Sequence, residues 1–141
     1  METAPAIDGV ALRAAREKAG LTQHELARVV GVVGGERVAM WERGRSRPRS
    51  PRILHAVAAA VGVPARSLLV PPEDGPTLRW LRFAAGLGVD QVADAARVSI
   101  SSLKRWEAGS SRRALPPETV QVLAAVLGVR PGDVSAALRR P

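Results

Sequence analysis

Residues 21–32 read LTQHELARVVGV, and after VGGERVAM at 33–40 the chain continues WERG at 41–44. Thr22 and Glu25 stand at capping-box spacing. A hydroxyl at the N-cap accepts from the third helical N–H, and a carboxylate there reaches back to the N-cap N–H, so a helix is expected to open at this point. Leu26, Val29 and Val30 are expected to form its buried face. Val32 to Gly35 read as a turn. A further helix runs through Val38 and Trp41, both expected inward, and ends near Gly44.

Upstream, Asp8 is placed to cap a helix whose apolar positions Leu12, Ala15 and Ala19 recur at three and four residues, with Gly20 as a left-handed stop. Downstream, Ser50 and Pro51 start a fourth helix, with Ile53, Leu54, Val57, Ala60 and Val61 along one side before Gly62. A short helical turn over 65–69 closes the unit. The unit is then written a second time. A shift of 66 lays Leu12, Arg16, Gly20 and Leu21 on Leu78, Arg82, Gly86 and Leu87. The shift is 65 where Trp41, Glu42 and Gly44 meet Trp106, Glu107 and Gly109, and 66 again from Pro51 on Pro117. One extra residue therefore precedes Trp41 in the first copy, and one follows Gly109 in the second. VPPEDGP at 70–76 has a linker's composition. The expected fold is all-α, two tandem five-helix units, with domains at 1–70 and 77–141 joined by 71–76. Units this small are near the lower limit for an independent core. Trp80 and Phe83 have no bulky counterparts in the first copy, and they read either as core filling or as a docking face.

Composition narrows the function. Among 141 residues, 21 basic side chains oppose 13 acidic ones for a net charge of +8, and both halves share the excess, at +5 and +3. That balance calls for a polyanionic partner. With 46% hydrophobic residues the chain folds rather than trailing as a basic tail. The absence of cysteine removes disulfides and thiolate chemistry. His24 and His55 have no partner set for a metal, and GVVGGERV at 31–38 lacks the Lys-Ser or Lys-Thr of a phosphate-binding loop. Ser99, Ser101 and Ser102 lack a base. No enzyme, cofactor, metal site or small-molecule ligand is expected. Neither an apolar span nor a signal peptide is legible, so a cytoplasmic, nucleoid-associated location is expected.

LTQHELARVVGV, WERG, a Pro-started helix and Gly-Val-Pro at 62–64 together resemble the Cro and phage-repressor (XRE-type) helix-turn-helix family. LGVDQVADAARVSISSLKRWEAG at 87–109 looks like a diverged copy. The resemblance implies lambda-repressor-like domains that bind double-stranded DNA, with the second motif helix in the major groove. It places Thr22 and Gln23 at a DNA phosphate, where the second copy has Gly88 and Val89. On the first recognition helix it turns Gly35, Glu36, Arg37 and Met40 to the groove. Arg37 suits guanine edges and Glu36 a cytosine amine. On the second, Ser99 caps the helix. Ile100, Ser101, Ser102, Lys104 and Arg105 then face outward, with Leu103 and Trp106 inward. Arg16 with Glu42, and Arg82 with Glu107, match an Arg-Glu pair that ties the first helix to the recognition helix. Arg97 stands where the first copy has Gly31, so strain is expected in that turn.

Arg43, Arg45, Arg47 and Arg49 follow the first recognition helix, and Arg112 and Arg113 the second. Loops in this place lie along the sugar-phosphate backbone and gain from counterion release. The expected function is sequence-specific binding as a bacterial or mobile-element transcriptional regulator. Both copies then act on one duplex, or a homodimer through the second copy presents two first copies. Architectural binding with shallow sequence preference, and an antitoxin-like protein-interaction module on the same fold, are the competing functions.

Overall fold

The computed structural model describes residues 4–109 and 114–140, and the chain divides into two compact units, Met1–Val70 and Pro71–Pro141. The first contains α1 (Gly9–Lys18), α2 (Gln23–Val30), α3 (Gly35–Glu42) and α4 (Pro51–Val61), then a 3-10 turn at Ala65–Leu68. The second contains α5 (Leu78–Ala84), α6 (Val89–Ala96), α7 (Ile100–Glu107), α8 (Pro117–Leu127) and α9 (Pro131–Leu138). The fold is all-α, and the described residues hold no strand beyond one isolated bridge.

Short polar side chains start α1, α2, α4, α5 and α7 by accepting the first free N–H groups, which have no partner inside the helix. Asp8 Oδ1 accepts from Ala11 N at 3.0 Å, Ser50 Oγ from Ile53 N at 3.2 Å and Thr77 Oγ1 from Trp80 N at 3.1 Å. Thr22 and Glu25 close a full capping box, both bonds being 3.0 Å. In the second unit only half of that box survives: Gln91 Oε1 accepts from Gly88 N at 2.7 Å, and Gly88 has no side chain to return the bond.

In the first unit α2 packs on α3 and α4, and α1 crosses α3 and α4. Leu12, Leu26, Val38, Trp41, Leu54, Val57 and Leu68 fill the space between them. In the second, Leu78, Leu81, Val92, Leu103, Leu123 and Val134 do the same. Two sequence expectations change here. Val29 is 65% exposed, because the side of α2 that packs on α3 and α4 carries Leu26 and Ala27. Trp106 is only half-buried, whereas Trp41 is 2% exposed. Trp80 and Phe83 are both buried, as core filling requires, and neither ring offers a docking face.

Backbone pairing also holds the first unit closed, a feature with no side-chain signature. Ile7 and Leu69 form an antiparallel bridge. Asp8 N donates to Leu68 O at 2.7 Å, and Val70 N to Ala6 O at 2.9 Å.

Candidate nucleic-acid interface

The angle between the first helix and the recognition helix is fixed by a buried ion pair in each unit. In the first, Arg16 Nε and Nη2 grip the two Glu42 carboxylate oxygens at 2.5 and 3.0 Å, and Arg16 Nη1 donates to Leu21 O at 2.9 Å. In the second, Arg82 Nε and Nη2 meet the Glu107 oxygens at 2.7 and 3.0 Å, and Nη1 donates to Leu87 O at 3.1 Å. A two-pronged guanidinium–carboxylate contact fixes direction as well as distance. One clamp thus binds the start of the motif to the end of its recognition helix.

Two further side chains join these clamps without a sequence signal. Gln23 Nε2 donates to Glu42 Oε1 at 3.1 Å, so the side chain that the resemblance aimed at a phosphate leans on the clamp instead. Arg79 Nε lies 3.6 Å from Glu107 Oε1, giving that carboxylate a second cation. Burial pushes the Glu42 carboxyl up, but the bonds from Arg16 and Gln23 outweigh it and hold its pKa below the ordinary value. The Glu42 bond in turn raises Arg16, against the effect of burial. Glu25, fully exposed, is lowered by its bond to the Thr22 backbone.

The outward face of α3 carries Glu36 and Arg37, both exposed, with Met40 half-buried beside them. The loop that follows brings Arg43, Arg45 and Arg49 into solvent next to this face. Helix and loop enclose a shallow cleft of about 430 Å³, lined in part by Val33, Arg37, Met40 and Arg49. Arg47 is exposed but already engaged, its Nη1 donating to Ala4 O at 2.7 Å. Gly35 is misplaced in the outward set. A Cβ there would lie 2.7 Å from His24 N and 2.9 Å from His24 Cα, so the position faces the α2 backbone and is what lets the two helices meet closely.

The second unit presents a different surface on the same scaffold. Ser101, Lys104 and Arg105 are exposed on α7, and Ile100, at the place of Gly35, is 44% exposed. Ser99 Oγ accepts from Ser102 N at 3.0 Å and donates to Ser102 Oγ at 2.8 Å, while Arg105 Nη2 donates to Ser102 Oγ at 3.1 Å. Arg105 is thereby laid along the helix. Asp90 and Asp94 are exposed on α6 where α2 exposes His24 and Arg28. Arg112 and Arg113 lie outside the described residues.

The turns differ as well. Arg97 adopts the left-handed conformation of Gly31, at φ 57° against 86°. Val32 N bonds to Ala27 O at 3.0 Å as Val98 N does to Ala93 O at 2.9 Å, and Gly34 and Ser99 are the equivalent N-caps. The residue with no counterpart in the second copy is therefore Val33, 88% exposed. Sequence reading missed it as a site residue, although the change of register before Trp41 marked the insertion.

Two short helices, a tight turn and a clamped second helix, repeated, define a tandem helix-turn-helix protein. Family comparison agrees: residues 12–68 match the model described as Helix-turn-helix, and residues 75–138 the one described as Helix-turn-helix domain. The chain belongs to the XRE-type helix-turn-helix class, with two tandem copies. No curated protein and no solved structure matches it. Among the described residues no group of side chains could hold a metal ion, and no helix is long and apolar enough to cross a membrane.

Proposed function

We propose that the protein is a sequence-specific transcriptional regulator that lays α3 in the major groove and its Arg-rich loop on the phosphate backbone. The observation that carries this reading is the shared exposure of Glu36 and Arg37 on α3 with Arg43, Arg45 and Arg49 in the loop beside them. Arg37 donates to guanine N7 and O6, and Glu36 accepts from a cytosine amine. The loop arginines supply affinity without sequence information. The first unit is the principal reader. Its α2 offers His24 and Arg28 to the flanking backbone, where α6 offers Asp90 and Asp94. On the second unit Ser101, Lys104 and Arg105 read an unlike half-site with smaller gain.

The test is a titration of the full chain against DNA upstream of its own gene and a scrambled duplex, at two salt concentrations, with the mass of the complex recorded. Preference of at least about a thousandfold with a steep salt slope supports a regulator. Arg37→Ala is expected to lose about 1–3 kcal/mol on the preferred duplex only. Arg45→Ala is expected to weaken both duplexes and to reduce the salt slope by about 1. Equal affinity for both duplexes favours architectural binding, and absence of binding at low salt favours the protein-interaction module.

A further inference from the structure

Val33 is a residue that the packing of the first unit does not account for. It is the one inserted position in that unit's motif turn, and its side chain is 88% exposed, the highest among the exposed large apolar residues described. The second unit makes the same turn without it, passing from Val98 directly to the N-cap Ser99. Accommodating the insertion puts Gly34 at φ 72°, and the N-cap of α3 then has no side-chain hydrogen bond. The first unit thus gives up a cap of the kind Ser99 supplies and displays an apolar side chain in water. That side chain lines the same cleft as Glu36, Arg37 and Met40.

We infer that Val33 is a specificity-determining residue that packs against the 5-methyl group of a thymine in the major groove, next to the base pairs met by Glu36 and Arg37. Thymine is the base that offers an apolar group at the major-groove edge, and contact with a small branched side chain is the complementary chemistry. Val33 precedes the first residue of α3 by two positions, on the cleft side of the helix, so it enters the groove with that helix. The inference rests on the proposed DNA-reading role of the first unit and adds a base to the half-site.

The experiment begins with selection of preferred duplexes from a random pool by the full chain. Each thymine of the selected site is then replaced singly by deoxyuridine, which removes the methyl group and nothing else. One replacement is expected to weaken binding about fourfold, the worth of one buried methyl. With the Val33→Ala protein that penalty is expected to vanish, while its thermal midpoint stays at the parent value. A selected site without thymine beside the bases protected by Arg37, or a deoxyuridine penalty of equal size in both proteins, overturns the inference and leaves the regulator reading standing. A pool that yields no preferred sequence overturns that reading, and the inference with it. Unchanged DNA affinity in Val33→Ala together with a change in the mass of the free protein assigns the side chain to a protein contact instead.

Discussion

The two units keep the same clamp and change nearly everything that faces outward from it. Arg16–Glu42 and Arg82–Glu107 have the same two-pronged geometry and the same third bond to a backbone carbonyl five residues on. Around them, His24 and Arg28 become Asp90 and Asp94, Gly35 becomes Ile100, and Val33 has no counterpart. Duplication has preserved what orients a recognition helix and released what the helix presents. The two units therefore present unlike chemistry outward from one shared scaffold.

That comparison is open to direct attack. The largest effect is expected at the clamps, because removing one partner of a buried pair strands the other charge. Glu107→Ala leaves Arg82 and Arg79 facing each other and is expected to cost about 3–5 kcal/mol in urea unfolding. Glu42→Ala strands Arg16, while Arg13, the other cation acting on that carboxylate, is exposed and paired with Glu17, and Gln23 is neutral, so its loss should be the smaller. Equal losses would mean that Arg79 adds nothing to the second clamp. Next comes the helix contact. Gly35→Ala drives a methyl into the His24 backbone and should destabilise the first unit by about 1–3 kcal/mol. Ile100→Ala, at a partly exposed site, should stay within about 0.5 kcal/mol. A mild Gly35→Ala would show that α2 and α3 have room to separate.

The third test concerns the turns. A left-handed arginine is strained because its Cβ approaches the following carbonyl, and Arg97→Gly is expected to stabilise the second unit by about 1 kcal/mol in thermal unfolding. Gly31→Ala should cost the first unit a similar amount. The smallest effect is acid sensitivity. The folded pKa of Glu42 is depressed, so its contribution is complete above the unfolded value near 4.3 and is lost as pH falls through the folded one. Melting curves from pH 7 to 3 should show Glu42→Gln converging on the parent at the acid end; a gap that stays constant would sink this account.

Much of the fold was legible because its signals are local. Asp8, Thr22 with Glu25, Ser50 and Ser99 announce helix starts by residue type and spacing, and the repeated Arg and Glu announced the clamps. What escaped depends on neighbours that the sequence does not name. Gly35 is visible as a glycine, but the backbone it admits belongs to His24. Val29 fits the apolar period of α2, yet the side of the helix that α3 and α4 cover carries Leu26 and Ala27, which leaves Val29 in solvent. The pairing of Ala6 and Ile7 with Leu69 and Val70 uses main-chain groups that any residue carries. Arg47 belonged to the basic run by composition, while its bond to Ala4 is a matter of where the amino-terminal segment lies.

That antiparallel pairing has a mechanical consequence. Ala6 leads into the first unit and Val70 leads out of it, and they leave side by side. Cross-strand bonds lie perpendicular to the strands, so a pull that separates the two chain ends falls along the bonds and loads them one at a time. Val70 to Ala6 opens first, then Asp8 to Leu68, which frees the residue that caps α1. Tension applied through the segment after Val70 would thus reach the start of the first helix before it reached the core, and the unit would yield as a zip rather than by shear.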